Sequence, residues 1–199
     1  MKFLYYFTFS LSLNFITPAS LSLSKREDCK LSSLTPTIQG NPYYSILPLD
    51  ACPVCPETNN CNECKVKVSD TFSVRNTRFW SKILLGFTLP KDRKIKKCTL
   101  SLIPVENQQF LSSNTLVDVY TTTSFNADVV TWDNSPKDND LISTFDTKNP
   151  NPIDITKYCQ GGDVYFSIVK NDTIGPENIS FYSATSQKPP KLEVEYESP

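Results

Sequence analysis

Short segments in which apolar residues occupy every second position run through most of this chain from Lys65 onward. The clearest is Lys82–Leu89, and residues 164–169 and 192–197 follow the same period. Successive side chains of a strand point to opposite faces, so this period is that of strands with one buried face. Proline, asparagine and aspartate separate the segments, and none of them carries the apolar stripe of an amphipathic helix. The pattern predicts an all-β domain, built as an antiparallel β-sandwich or jelly roll.

The alternating region covers residues 65–197, which is long enough for one complete hydrophobic core. Residues 27–64 differ, because they are rich in Ser, Thr, Pro and Asn and show neither strand nor helix periodicity. The sequence therefore predicts a loop-rich, cysteine-containing extension over 27–64, joined to a β-sandwich domain over 65–197.

The first 22 residues have the organisation of a secretory signal peptide. Lys2 precedes an apolar run over 3–16, and the small residues Ala19 and Ser22 offer cleavage positions. The run is short for a membrane span, and no other stretch is long enough for one. We therefore expect a secreted or extracellular protein with no membrane span after signal removal. The dibasic pair at 25–26 is either a site for a processing protease or an ordinary solvated pair.

The cysteines predict disulfide bonds. Two CxxC pairs, at 52–55 and 61–64, can supply four thiolates to zinc, but zinc sites of this type usually have a longer loop between the pairs. The oxidising secretory route favours disulfides instead. Cys98 and Cys159 are a natural pair within the sandwich, the other pairings stay open, and an odd thiol is either free or bonded to a partner chain. The seven candidates are Cys29, Cys52, Cys55, Cys61, Cys64, Cys98 and Cys159.

Charge and residue types exclude several functions. The chain has 20 basic and 21 acidic residues, and three of the cations precede residue 27. A chain starting at residue 27 would carry 17 basic and 21 acidic residues, which gives no electrostatic basis for binding nucleic acid. The absence of histidine excludes Ser-His-Asp and Cys-His catalysis and histidine-based zinc sites. Nothing marks two carboxylates as a catalytic pair, so we expect no enzyme.

Four segments occur in the order seen in a known family of modules. They are Ser81–Pro90, Ile95–Leu102, Val129–Pro136 and Phe181–Tyr196. Over residues 65–197 the chain thus resembles the DNRLRE or disaggregatase-related domains, which are grouped as family 96 carbohydrate-binding modules. The resemblance implies a non-catalytic β-sandwich that binds a polysaccharide or another glycan. Its third segment is expected to be a short strand that ends at a turn.

Trp80 is the candidate platform for a sugar ring, because exposed aromatic faces stack on pyranose rings. It lies in a predicted loop with Arg78, Phe79 and Lys82, where the chain departs from the family's usual Asn-Tyr-Gly loop. The alternative is that Trp80 closes one end of the sandwich, since large aromatic side chains are mostly buried. For Trp132, at a family signature position, we expect packing over the edge of the sandwich.

Three aspartates, Asp133, Asp138 and Asp140, follow Trp132 closely and are candidate calcium ligands. Some relatives of this jelly-roll type bind calcium, although the spacing here matches no calcium-loop motif. No other cofactor is expected.

Two further surface features concern the loops. Residues 91–97 hold five cations in seven positions, which suits either an anionic glycan such as a uronate polymer or a solvated turn. Asn171 and Asn178 begin N-glycosylation sequons. Glycans there would keep that end of the domain solvated.

The expected function is recognition of an extracellular or cell-wall polysaccharide by a secreted, non-catalytic protein. One alternative is a structural or adhesive surface protein whose cysteines cross-link chains. A second is a secreted effector that binds host glycans or proteins.

Overall fold

The computed structural model describes residues 31–45, 55, 58, 60–65, 68–76, 79–106, 108, 115–150, 152–171 and 178–197. The expected signal peptide, the dibasic pair, Cys29, Cys52 and Arg78 lie outside these residues. Within them, no helix has the length and apolar character needed to cross a membrane.

Regular structure in the described residues is strand, apart from two short 3₁₀ helices at Cys61–Glu63 and Thr156–Tyr158. The strands are β1 (Leu31–Leu34), β2 (Ile38–Gly40), β3 (Tyr43–Ser45), β4 (Thr71–Asn76), β5 (Phe79–Ser81), β6 (Ile83–Leu89), β7 (Ile95–Ser101), β8 (Leu116–Thr121), β9 (Leu141–Asp146), β10 (Ile153–Asp154), β11 (Gly162–Lys170), β12 (Ile179–Tyr182) and β13 (Lys191–Tyr196).

The strands form three antiparallel sheets. Their orders are β1-β13-β7-β10, β2-β6-β11-β8-β9 and β12-β4-β5-β3. Backbone hydrogen bonds from Val105 N to Ser180 O (2.9 Å) and from Tyr182 N to Ile103 O (3.0 Å) connect the chain after β7 to β12. The two four-stranded sheets are thereby linked, and the five-stranded sheet shares one core with both of them.

The core is built from the alternating residues that the sequence pattern indicated. In β6 and β11, Ile83 pairs with Ile168 and Leu85 with Phe166, and all four side chains are buried. An edge-to-face contact between Phe145 of β9 and Phe181 of β12 (6.2 Å between ring centroids) connects the five-stranded sheet to a four-stranded one. Each such side chain contributes about 1.5–3 kcal/mol when fully buried. The predicted antiparallel β-sandwich is confirmed.

Residues 31–45 contain three short strands that the sequence pattern did not indicate. β1 pairs with β13, β2 with β6 and β3 with β5. Strands of three or four residues are too short for a period of two to stand out. They form here because β13, β6 and β5 would otherwise leave a row of backbone N–H and C=O groups unpaired. Part of the extension thus completes the sheets.

The segment Val129–Pro136 forms turns, so the expectation of a strand is wrong there. Val129 N and Val130 N donate to Asn126 O (3.2 and 2.9 Å). Asn134 accepts from Thr131 N (2.8 Å) and donates to Val129 O (2.9 Å) through its side chain. The amide side chain takes backbone groups that a strand would pair with a neighbour. The expected turn after the tryptophan is present, because Ser135 N donates to Trp132 O (3.2 Å).

The chain around residues 122–136 covers the outer face of the five-stranded sheet. Phe125 packs edge-on against Tyr165 of β11, with 6.0 Å between ring centroids. Gly86 on β6 lies under Tyr165 and Ile38, and a Cβ there would come within 2.3 Å of Ile38. Glycine is required at this position, because a side chain would push β2 away from the sheet.

One corner of the sandwich is formed where the chain changes sheets. β2 and β6 belong to the five-stranded sheet, whereas β3 and β5 belong to a four-stranded one. The chain passes between these sheets twice, from β2 to β3 and from β5 to β6. The buried Asn41 connects the two passages: its side chain donates to Ser73 O and Lys82 O (2.8 Å each) and accepts from Ser73 N (3.0 Å). This corner places Tyr44, Trp80 and Lys82 beside one another.

Candidate functional site

Trp80 lies in the middle of β5 and is 37% exposed. The position is a strand rather than the predicted loop, because β5 pairs with both β3 and β4. Tyr44 of β3 is directly opposite Trp80 in this register. Directly opposed residues of an antiparallel pair have Cβ atoms about 4.5–5.5 Å apart, so the two rings are neighbours on one face.

Trp132 extends this face. Its ring stacks on that of Tyr44, with 5.6 Å between centroids and 28° between planes. Trp132 is partly buried, as expected for a residue that packs over the edge of the sandwich. We call Tyr44, Trp80 and Trp132 the aromatic surface. Two of its rings are held by packing against each other, and the third, Trp80, presents the most area to solvent.

The turn that carries Trp132 is fixed by the cysteine-containing segment. Trp132 N donates to Asn62 O at 3.1 Å, and Asp133 N points at the same oxygen at 3.4 Å. Asn62 lies in the 3₁₀ helix Cys61–Glu63, and a disulfide between Cys55 and Cys64 encloses it. The cysteine-containing extension therefore holds the turn that carries Trp132 in place.

Lys82, predicted as a ligand-binding residue, is directed into the protein. Its side chain is 7% exposed. The ammonium donates to Pro136 O (2.6 Å), lies 3.4 Å from Asp138 Oδ1, and sits 5.7 Å from the centroid of the Trp132 ring. A buried cation needs such partners, and the three together position the loop 132–138 over the corner. Of the other candidates, Arg78 and the side chain of Phe79 lie outside the described part of the structure.

The three aspartates proposed for calcium are not brought together. Asp138 pairs with Lys82, and Asp133 is exposed in the turn after Trp132. Asp140 precedes β9, and its backbone N donates to Thr121 Oγ1 (3.0 Å) at the end of β8. Among the described residues, no three Asp, Glu or Cys side chains are grouped so that they can hold a metal ion. Calcium binding stays a prediction without geometric support.

The cysteines in the described part of the chain are disulfide-bonded rather than arranged around zinc. Cys98 and Cys159 form the bridge expected within the sandwich, and Cys55 bonds Cys64. Cys61 is disulfide-bonded as well. The secretory-route argument for oxidation therefore agrees with the structure.

Three of the five cations in the basic run, residues 91–97, have partners within the fold. Lys94 pairs with Glu197 (2.7 Å) and Lys96 with Glu195 (2.6 Å). Arg93 lies over the ring of Tyr196, 4.6 Å from its centroid. These contacts favour the interpretation as a solvated turn over that as an anionic-glycan site.

The two sequon asparagines differ in setting. Asn171 is exposed, and its Nδ2 donates to Asp118 Oδ1 at 2.8 Å. Asn178 is half-buried directly before β12, and its Nδ2 donates to Ser180 Oγ at 3.3 Å. Glycosylation of either stays a prediction.

Sequence reasoning missed Tyr44, which is the partner that orders Trp132. The signal was present only as an aromatic pair, Tyr43 and Tyr44, in a segment with no recognisable strand period. Its contact with Trp132 spans 88 positions and follows from the corner, which no local pattern encodes.

The family model for carbohydrate-binding module family 96 matches residues 54–196. No curated protein sequence matches the chain significantly.

Proposed function

Because this chain belongs to carbohydrate-binding module family 96, we propose that it is a secreted, non-catalytic protein that holds an extracellular or cell-wall polysaccharide on its aromatic surface. The observation that carries the proposal is the setting of Trp80. It is the most exposed ring of a surface whose other two rings, Tyr44 and Trp132, are already stacked. Because Tyr44 and Trp132 are stacked before binding, a sugar that contacts them costs little conformational entropy at these two side chains.

The chemistry of the surface suits a pyranose ring. The C–H face of a sugar packs on the indole of Trp80, and its hydroxyls need polar groups at the rim. Asp138, about one-third exposed beside Lys82, can accept such hydrogen bonds. The non-catalytic role is supported by family membership and by a sequence without histidine.

The test is binding to insoluble polysaccharides by the wild type, Trp80→Ala and Trp80→Phe. We expect Trp80→Ala to weaken binding at least tenfold and Trp80→Phe to retain most of it, because the ring is kept. Leu141→Ala is a matched control, since Leu141 is an exposed apolar residue on the edge strand β9. Equal binding by the wild type and Trp80→Ala would remove the aromatic surface as the site.

Cross-linking through cysteines receives no support from the described residues. Their five cysteines are all disulfide-bonded. Non-reducing gels would reveal disulfide-linked multimers if the adhesive alternative were correct.

A further inference from the structure

The two N-glycosylation sequons of this chain can be distinguished by how the fold holds their asparagines. Asn171 directly follows β11 and is exposed, whereas Asn178 directly precedes β12 and is half-buried. The glycan of a sequon is bulky and hydrophilic and is attached to the side-chain amide nitrogen, so this nitrogen must face solvent in the folded protein. The contacts of each amide therefore decide which sequon is compatible with the fold.

Asp118 fixes the orientation of the Asn171 amide. Asn171 Nδ2 donates to Asp118 Oδ1 at 2.8 Å. An ionised carboxylate only accepts hydrogen bonds, so the Asn171 atom that faces it is the nitrogen and not the oxygen. Asp118 is buried and held in place, because it also accepts from Thr144 Oγ1 and from Tyr120 Oη (3.2 Å). Since the amide nitrogen carries two hydrogens, a sugar can replace one of them while the other still binds Asp118.

An exposed leucine lies beside Asn171 on the same face of the sheet. Lys170 of β11 pairs with Val117 of β8. The next pair is Asn171 and Leu116, because Asn171 N donates to Leu116 O at 3.0 Å. Directly opposed side chains share a face, with Cβ atoms about 4.5–5.5 Å apart. Leu116 is 39% exposed, so the first sugar on Asn171 can cover it with its C–H face and remove apolar area from water.

Asn178 offers no comparable position. Its Oδ1 is buried without a hydrogen-bond partner among the described residues, and its Nδ2 donates to Ser180 Oγ. The next residue, Ile179, is fully buried. Gln108 holds the backbone of Ser180 on both sides, because its side chain accepts from Ser180 N (2.8 Å) and donates to Ser180 O (2.7 Å). A glycan on Asn178 would therefore have to displace the beginning of β12.

We propose that Asn171 carries an N-linked glycan whose first sugar packs on Leu116, and that Asn178 stays unmodified. The inference rests on one part of the proposed function, namely secretion, because the donor sugar is met on the secretory route. The reaction forms a bond between Asn171 Nδ2 and C1 of N-acetylglucosamine. The bond from C1 to the diphosphate of a lipid-linked oligosaccharide breaks, the diphosphate leaves with the bonding electrons, and one Nδ2 proton passes to solvent.

The first test is secretion of the full chain by a eukaryotic host, followed by peptide mass spectrometry. Enzymatic removal of N-glycans converts each asparagine that carried one into aspartate. We expect this conversion at Asn171 and not at Asn178. Asn171→Gln should be secreted without the glycan, whereas Asn178→Gln, the matched control, should keep the glycosylated mass of the wild type.

The second test concerns the contact with Leu116. We expect the glycan of folded Leu116→Ser to be released by the deglycosylating enzyme about fivefold faster than that of the wild type, because its first sugar no longer covers an apolar side chain. Leu141→Ser is the matched control, since Leu141 is also an exposed leucine, on β9, and should leave the rate unchanged.

The outcomes separate this inference from the proposed function. A secreted protein with Asn171 unmodified, or with a glycan on Asn178, overturns the inference, and equal release rates from the wild type and Leu116→Ser overturn the packing on Leu116. Polysaccharide binding by a protein with Asn171 unmodified overturns this inference alone, whereas a glycan at Asn171 on a protein that binds no polysaccharide overturns the binding proposal alone. A chain that the host neither secretes nor glycosylates overturns both this inference and secretion.

Discussion

The two tryptophans of the chain differ in how they are packed. Trp132 stacks on Tyr44, as the sequence leads us to expect for a packing residue, whereas Trp80 is 37% exposed. The sequence alone leaves two interpretations of Trp80 open, a platform for a sugar ring and a side chain that closes one end of the sandwich. Lys82, a candidate ligand contact from the sequence, has a side chain that is directed into the protein. A lysine beside an exposed tryptophan looks solvated in the sequence, but its long stem allows the ammonium to reach Pro136 O and Asp138 across the corner.

Replacing Trp132 tests whether this side chain supports the aromatic surface. Trp132→Ala removes the stack on Tyr44 and the ring beneath the Lys82 ammonium. We expect the free energy of unfolding to fall by about 2–3 kcal/mol and binding to weaken as well, because Tyr44 loses its support. Trp80→Ala should weaken binding with a stability loss below about 1 kcal/mol. Urea unfolding and polysaccharide binding of both variants provide the comparison; unchanged stability in Trp132→Ala would contradict a supporting role.

At the scale of elements, length decided what could be predicted. The periodic stretches at Ile83–Leu89, Gly162–Lys170 and Lys191–Tyr196 are strands of six to nine residues, long enough for the alternation to be visible. β3 and β5 have three residues each and carry no period. They are strands because pairing with neighbouring strands stabilises their extended backbone, which their own sequences favour too weakly.

The two disulfide bonds have different expected roles, one in the stability of the sandwich and the other in positioning the aromatic surface. The Cys98–Cys159 bridge closes 61 residues and the Cys55–Cys64 bridge only 9. From chain entropy, their removal should cost about 4 and about 2.5 kcal/mol respectively. We expect the Cys55→Ala/Cys64→Ala variant, although more stable than Cys98→Ala/Cys159→Ala, to show the larger loss of polysaccharide binding. The reason is that the shorter loop holds Asn62, whose carbonyl accepts from Trp132 N.

Urea unfolding gives the order of stability of the two variants. Polysaccharide binding, measured under conditions in which both variants are folded, gives the order of their affinities. The two variants serve as each other's control, since each removes one bridge and two sulfur atoms. Equal binding by both would show that Asn62 needs no covalent support to hold Trp132.

For the whole molecule, the fold class and the family followed from the sequence, whereas the way in which Tyr44, Trp80 and Trp132 come together did not. The alternating segments and the family motifs are distributed along the chain. One wrongly predicted element therefore does not change the predicted fold class or family. The candidate surface instead depends on a corner where residues 41–44, 79–82 and 132–138 meet. Its geometry comes from two sheet crossings and the buried amide of Asn41. Contacts between residues so far apart in the sequence arise from packing, and no periodic pattern in the sequence indicates them.

Four ionisable groups with shifted pKa values, all in the described part of the chain, predict how stability depends on pH. The sequence has no histidine. Hydrogen bonds from Thr156 hold the pKa of Asp154 below its ordinary value, and pairing with Lys188 does the same for the pKa of Glu106. Conversely, the pKa of Lys188 is raised by Glu106, and that of Tyr120 by burial and then by the Asp118 charge. All four shifts move titration away from neutrality.

A lowered carboxyl pKa contributes stability above the unfolded value, about 4, and that contribution is lost as pH falls through the folded value. A raised pKa acts in the opposite sense, with stability lost as pH rises through the folded value, beyond about 10. We therefore expect the free energy of unfolding to be flat between about pH 5.5 and 9, and to decrease on the acid side as Asp154 and Glu106 become protonated. Urea unfolding at pH 3–10 measures this, with Asp154→Asn expected to show a shallower acid decrease than the wild type. A change between pH 6 and 8 would contradict the argument, because none of the four shifted groups titrates there.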